Sequence, residues 1–123
     1  MINIGILGAG SWGSALAILL NNNGHNVTLW SHDSSHVEMF NKTRQLKETL
    51  PGIIFSEKIK ITADLEELCN EKDIIVFAVA SPFIRSMAEK AKPFINKNQI
   101  IVNASKGIEE NTLYTLTDIL HEN

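Results

Sequence analysis

The chain is poor in the residues that announce several large classes of protein. It has a single cysteine, Cys69, so no internal disulfide can form. That residue sits in Leu65-Glu66-Glu67-Leu68-Cys69, where it reads as a small residue on an amphipathic helix. No cluster of His, Cys, Asp and Glu has metal-ligand spacing. Charge is sparse and balanced: 11 basic against 14 acidic residues leave −3, with no run of Lys or Arg. Such a chain has no field to draw nucleic acid or an anionic membrane. No apolar stretch is long enough to span a bilayer, and no charged segment precedes an apolar run at the N-terminus. A cytosolic protein is expected. Repeats, linkers and low-complexity segments are also missing.

What remains is 123 residues, the size of one domain, with the 44% hydrophobic content of a globular core. The most informative segment is Ile4-Gly5-Ile6-Leu7-Gly8-Ala9-Gly10-Ser11-Trp12-Gly13. An apolar strand runs into Gly8-x-Gly10-x-x-Gly13, and a helix pattern follows. This is the dinucleotide-binding fingerprint in its required context. Gly8 permits the tight strand-to-helix turn. Gly10 lacks a Cβ, so the backbone can approach a pyrophosphate. Gly13 lets the helix pack closely on the strand. The helix presents N–H groups and its positive dipole end to the phosphates.

Strand and helix patterns then alternate. Ile2–Leu7 and Val27–Trp30 read as strands around a helix at Ser14–Asn23, stopped by Gly24. Ser34–Thr43 reads as a helix burying Val37, Met39 and Phe40. Residues 44–58 look irregular. Ile59–Thr62 is a short strand, and Asp64 can cap a helix over Leu65–Asn70. Asp73–Val79 is the strongest strand, an apolar run suited to a parallel strand covered on both faces. Ser81-Pro82 opens a helix that Pro93 closes; Gln99–Ala104 is another buried strand, and Thr112–His121 a last helix. The fold class is α/β, a doubly wound, mainly parallel Rossmann-type sheet. Ligands of such sheets bind at the carboxyl ends of the strands. Four loops meet there: Gly8–Gly13, Ser31–Asp33, Ala80–Phe83 and Ser105–Gly107.

Within those loops, Ser11 and Trp12 fill the variable positions of the glycine turn, where their backbone N–H groups would face a pyrophosphate. Trp12 can cover the cofactor, or pack against a second domain or a neighbouring loop. Asp33 lies about 20 residues past the last glycine, where an acidic residue bonds a ribose 2′-OH, but it can equally cap the next helix. The strand tip itself carries Ser31 and His32. Without a carboxylate there, a 2′-phosphate is not repelled, so NADP is permitted and favoured over NAD. His32 can donate to that phosphate, stack on adenine, or simply be a surface residue. Phe83 can flank the cofactor or join the core. Lys106 follows a buried strand and precedes Gly107. Its place at the cleft favours holding an anionic substrate or polarising a carbonyl oxygen over being a solvated loop lysine.

Gly8-Ala9-Gly10-Ser11-Trp12-Gly13-Ser14-Ala15-Leu16-Ala17, Asn23-Gly24-His25-Asn26-Val27-Thr28-Leu29-Trp30 and Asn103-Ala104-Ser105-Lys106-Gly107-Ile108-Glu109 together resemble NAD(P)-dependent glycerol-3-phosphate dehydrogenase. The resemblance covers essentially the whole chain as that family's N-terminal domain. It implies that Ser11 and Trp12 make the pyrophosphate-loop contacts, that His32 stands at the adenosine end, and that Phe83 lies along the cofactor. It also implies that Lys106 contacts both nicotinamide and substrate. Two departures stand out. The family often has proline before the serine where this chain reads Ala80-Ser81-Pro82-Phe83, and many members carry arginine at His32 or Asp33.

The activity implied is reduction of glycerone phosphate to sn-glycerol 3-phosphate with NAD(P)H, which supplies the phospholipid backbone. The family's second, all-helical domain holds the catalytic lysine and most phosphate contacts, and the complete enzyme can be a homodimer. On that reading residues 1–123 are the cofactor domain of a longer protein. No catalytic residue is expected in them, and alone they bind cofactor but turn over poorly or not at all. Two rivals differ in kind. Another dehydrogenase of the 3-hydroxyacid or 6-phosphogluconate type is opposed by Lys106-Gly107. A non-catalytic nucleotide-sensing domain suits the length, but Ser31-His32 lacks the acidic residue such domains carry at the second strand's tip.

Overall fold

The computed structural model describes residues 2–46, 52–79 and 83–104. Five strands form one sheet: β1 (Asn3–Leu7), β2 (Asn26–Trp30), β3 (Lys60–Thr62), β4 (Ile74–Phe77) and β5 (Ile100–Asn103). The helices are α1 (Ser11–Asn22), α2 (Ser34–Thr43), α3 (Leu65–Cys69) and α4 (Ile84–Ala91), which tightens into a 3-10 turn over Lys92–Phe94. Every pairing is parallel, in the spatial order β3-β2-β1-β4-β5. This is the doubly wound α/β arrangement expected from the alternating pattern. The chain leaves β1 toward β2 on one side and returns to β4 on the other, so the order reverses at β1.

The two-residue period of the strands divides the core. Ile4, Ile6, Val27, Leu29 and Val76 join Ala17 and Phe40 on one face. Leu7, Trp30, Ile75 and Phe77 join Leu68, Ile84 and Met87 on the other. Such apolar strands, clothed by helices on both faces, cannot be solvated on either. Gly5 belongs to the second face, where a Cβ would come within 2.8 Å of the Leu68 carbonyl oxygen. Its lack of a side chain lets α3 lie close on the sheet. The long connection into β3 is pinned by Arg44, which ends α2 in the left-handed region at φ 55. Its guanidinium lies 4.2 Å over the Phe40 ring and donates to the Ser56 and Ile59 carbonyl oxygens.

Several boundaries move from their sequence-based positions. Helix α1 starts at Ser11, so Gly13 lies inside its first turn. Met39 is exposed, because Phe40 alone of that pair turns onto the sheet. Strand β4 ends at Phe77, and the α-helix ends at Ala91, with Pro93 inside the 3-10 turn that follows. Strand β5 is not buried: it is the sheet's edge among the described residues, and Ile100 and Val102 are 60% and 40% exposed. The proposed opening of α4 at Ser81-Pro82 and the helix at Thr112–His121 lie outside the described residues.

Candidate functional site

The glycine turn joins β1 to α1 at the carboxyl edge of the sheet, beside the point where the strand order reverses. Gly8 has φ +126, and a Cβ there would lie 2.6 Å from the Ala78 carbonyl oxygen. Its N–H donates to the Trp30 carbonyl at 3.1 Å, which ties the turn to β2. A Cβ on Gly13 would sit 1.9 Å from the Gly8 carbonyl oxygen, so helix and turn touch backbone to backbone. Gly10 is different. A Cβ there would meet nothing within 4 Å. Gly8 and Gly13 are glycines for the fold; Gly10 borders open space.

That space faces the start of α1. Gly10 is the N-cap, no side chain caps the helix, and no acidic residue stands in its first turn. By contrast Asp33 caps α2 and Asp64 caps α3. The N–H groups of Trp12 and Gly13 point along an uncompensated helix N-terminus, which favours an anion. The turn therefore offers a backbone-lined concavity, next to a positive dipole end, with room that only a glycine leaves. A dinucleotide's pyrophosphate has the charge and shape to fit it. Ser11 is exposed at its mouth. Trp12 is 47% exposed and reaches across the sheet edge, where its indole N–H donates to the Ala104 carbonyl beyond β5.

At the tip of β2, Ser31 is buried and its N–H donates to the Thr62 carbonyl at 3.0 Å. His32 is exposed, with its ring centroid 6.3 Å from that of Trp30. The two roles left open for Asp33 separate here. Its carboxylate accepts from the Ser35 N–H at 2.9 Å and the Ser35 hydroxyl at 2.6 Å, so it caps α2. The Ser35 hydroxyl, then the Ser35 N–H, hold its carboxyl below the usual carboxylate value. Sequence reasoning missed His36. Its Nδ1 lies 3.4 Å from the Ser31 hydroxyl and its Nε2 3.8 Å from Asp33, joining three polar side chains at the tip. The i, i+3 spacing from the helix cap was the available signal.

Phe83 precedes α4 at the same sheet edge and is 61% exposed, so it is not a core residue. Lys106 lies outside the described residues, as do Ser81, Pro82 and Ser105. The structure thus brings Gly8, Gly10, Ser11, Trp12 and Gly13 together, and sets His32 and Phe83 at the ends of neighbouring elements on the same edge. No helix among the described residues is long and apolar enough to cross a membrane.

The chain is 51% identical over 122 residues to a glycerol-3-phosphate dehydrogenase [NAD(P)+] of Fusobacterium nucleatum, covering 99% of this chain and 36% of that protein. A second such protein, of Lactobacillus delbrueckii, is 50% identical over 120 residues, covering 98% and 35% respectively. The chain therefore spans about a third of the length of these curated relatives. A crystal structure of glycerol-3-phosphate dehydrogenase from Coxiella burnetii superposes with a TM-score of 0.87 at 31% identity, over 97% of this chain and 38% of that one. The model of the NAD-dependent glycerol-3-phosphate dehydrogenase N-terminus matches residues 3–123, and with a fold, a glycine turn and relatives that agree, the chain belongs to that family.

Proposed function

We propose that the chain is the cofactor-binding domain of an enzyme that reduces glycerone phosphate to sn-glycerol 3-phosphate with NAD(P)H. The observation that carries this is the open space at Gly10, in front of an uncapped helix N-terminus. Bound there, a nicotinamide dinucleotide supplies the hydride. The chain's own residues do the holding. The first-turn N–H groups of α1 receive the pyrophosphate, with Ser11 at the mouth of the turn. His32 stands at the adenosine end, where it leaves room for a 2′-phosphate, and NADP is favoured over NAD. Phe83 flanks the cofactor on its exposed side. Lys106, which follows β5 in the sequence, steadies the anionic substrate and offsets charge on its carbonyl oxygen.

The catalytic lysine and most phosphate contacts belong, on this reading, to a helical domain beyond these residues. A homodimer of the complete enzyme, a cytoplasmic location and a role in phospholipid precursor supply go with it. The test has two parts. Calorimetry of the chain with NADH and NADPH should give saturable heat, and cofactor should raise the melting temperature. In the product of the complete gene, Lys106→Ala should lower kcat/KM on glycerone phosphate by on the order of 10²-fold with melting unchanged. No binding at millimolar cofactor would remove the site, and parental kcat/KM would return Lys106 to the solvated loop.

A further inference from the structure

At the sheet edge opposite the glycine turn, the first residues of β1, β2 and β3 and the turn before β4 surround a cavity of about 360 Å³. This is the small end of ligand-sized space, about 300 to 1,000 Å³. Asn3 and Asn26 are register partners there, and the Asn26 amide donates to the Asn3 carboxamide oxygen at 2.9 Å. Lys58, Lys60 and Lys72 line the same cavity. The left-handed residue Glu71, at φ 57, turns the chain so that Lys72 follows directly into it. The Lys72 ammonium donates to the Asn70 carbonyl at 3.1 Å.

Two carboxylates, Glu67 and Glu71, also line the cavity and offset part of the Lys72 charge, leaving three cationic groups against two anionic ones. Glu67 accepts from the Thr62 hydroxyl at 3.0 Å. Among the described residues, none of the three ammonium groups forms an ion pair with a carboxylate. Lys72 is half-buried, and burial first, then the charge of Lys60, push its pKa down, against the smaller opposite pull of Cys69, Glu67 and Glu71. Like charges held together in a partly desolvated space repel, and an anion placed between them relieves both costs.

We infer that this cavity is a second anion site, distant from the cofactor turn, which takes a small phosphate-bearing metabolite on Lys58, Lys60 and Lys72 with the Asn3–Asn26 amides as its floor. Its position at the amino ends of the strands keeps it clear of any ligand in the carboxyl-edge cleft. The probe is inorganic pyrophosphate, titrated at constant ionic strength into the 123-residue chain and followed by backbone amide chemical shifts. The shifts at Asn26, Lys60 and Lys72 should saturate together. Lys60→Gln, at an exposed position on β3, should weaken that response about tenfold, the worth of one charge-assisted contact. Gly10→Val should leave it intact while abolishing any response at residues 8–13. Shifts confined to the glycine turn, a linear response at the three reporters, or undiminished affinity in Lys60→Gln would each overturn the site.

Discussion

The indole N–H of Trp12 donates to the carbonyl oxygen of Ala104, joining the first turn of α1 to the end of β5. Trp12 anchors neither the core nor a helix cap; it spans the top of β4 from the first turn of α1 to the residue after β5. The bond is contact with a neighbouring segment, one of the roles its sequence left open. Among the described residues β5 pairs with a strand on one side only, through β4. Trp12→Phe keeps an aromatic ring and removes the donor. It should cost about 1 kcal/mol and speed amide exchange in β5 more than in β1 or β2. Uniform exchange across the sheet would mean that the contact carries no restraint.

The glycines of the turn should fail in different ways. Gly10→Val adds atoms to open space, so the domain should melt near the parental temperature but no longer bind cofactor. Gly13→Ala forces a Cβ toward the Gly8 carbonyl oxygen at 1.9 Å, which demands that helix and turn separate. It should destabilise by about 3 kcal/mol, in the range of overpacking. Calorimetry and thermal melts of both variants separate the classes. A Gly10→Val protein that binds normally would move the site elsewhere.

These differences mark what the sequence could and could not disclose. The turn was legible because backbone geometry leaves glycine almost no substitutes at Gly8, whose φ is +126. The central strands were legible because both their faces are apolar. The exposure of β5 was not, since Ile100-Ile101-Val102 states a strand without saying how many neighbours it has. Asp33 was undecidable because a cap and a ribose contact ask for the same carboxylate at the same place. The Trp12–Ala104 bond, 92 residues apart in sequence, and the lysine cavity depend on tertiary placement, which no local pattern encodes.

Cys69 should make the fold sensitive to alkali. It is fully buried, and burial raises its thiol from 9.0 to about 11. The sign follows from the raised value. Below pH 9 both folded and unfolded chains keep the proton, and this contribution is complete. Between about 9 and about 11 the unfolded chain ionises first, so stability is lost as pH rises. Thermal melts of the parent should fall more steeply over that window than those of Cys69→Ala, which cancels the other titrating groups. The thiol should also resist alkylation at pH 8 until the chain is unfolded. Equal slopes would show that the thiol does not contribute.

The β2 tip should set the choice between the two nicotinamide cofactors. Asp33 is occupied: its carboxylate holds the Ser35 N–H and hydroxyl and lies near His36. Because its pKa is lowered, its contribution to α2 is present above the ordinary carboxylate value and lost as pH falls through the folded one. Asp33→Ala should therefore lower the melting temperature at neutral pH, with a smaller effect on cofactor preference than a change at His32. His32 is exposed and uncommitted to a cap, so on the proposed binding mode a carboxylate placed there would face the ribose. His32→Asp would repel a 2′-phosphate and accept from a 2′-OH. The NADPH/NADH affinity ratio should fall about tenfold, the worth of a single close charge contact at a protein surface. Calorimetric titration of both cofactors into parent, His32→Asp and Asp33→Ala decides it. A ratio that follows Asp33 instead would place the ribose at the helix cap, and a ratio unmoved by either would put the adenosine end away from β2.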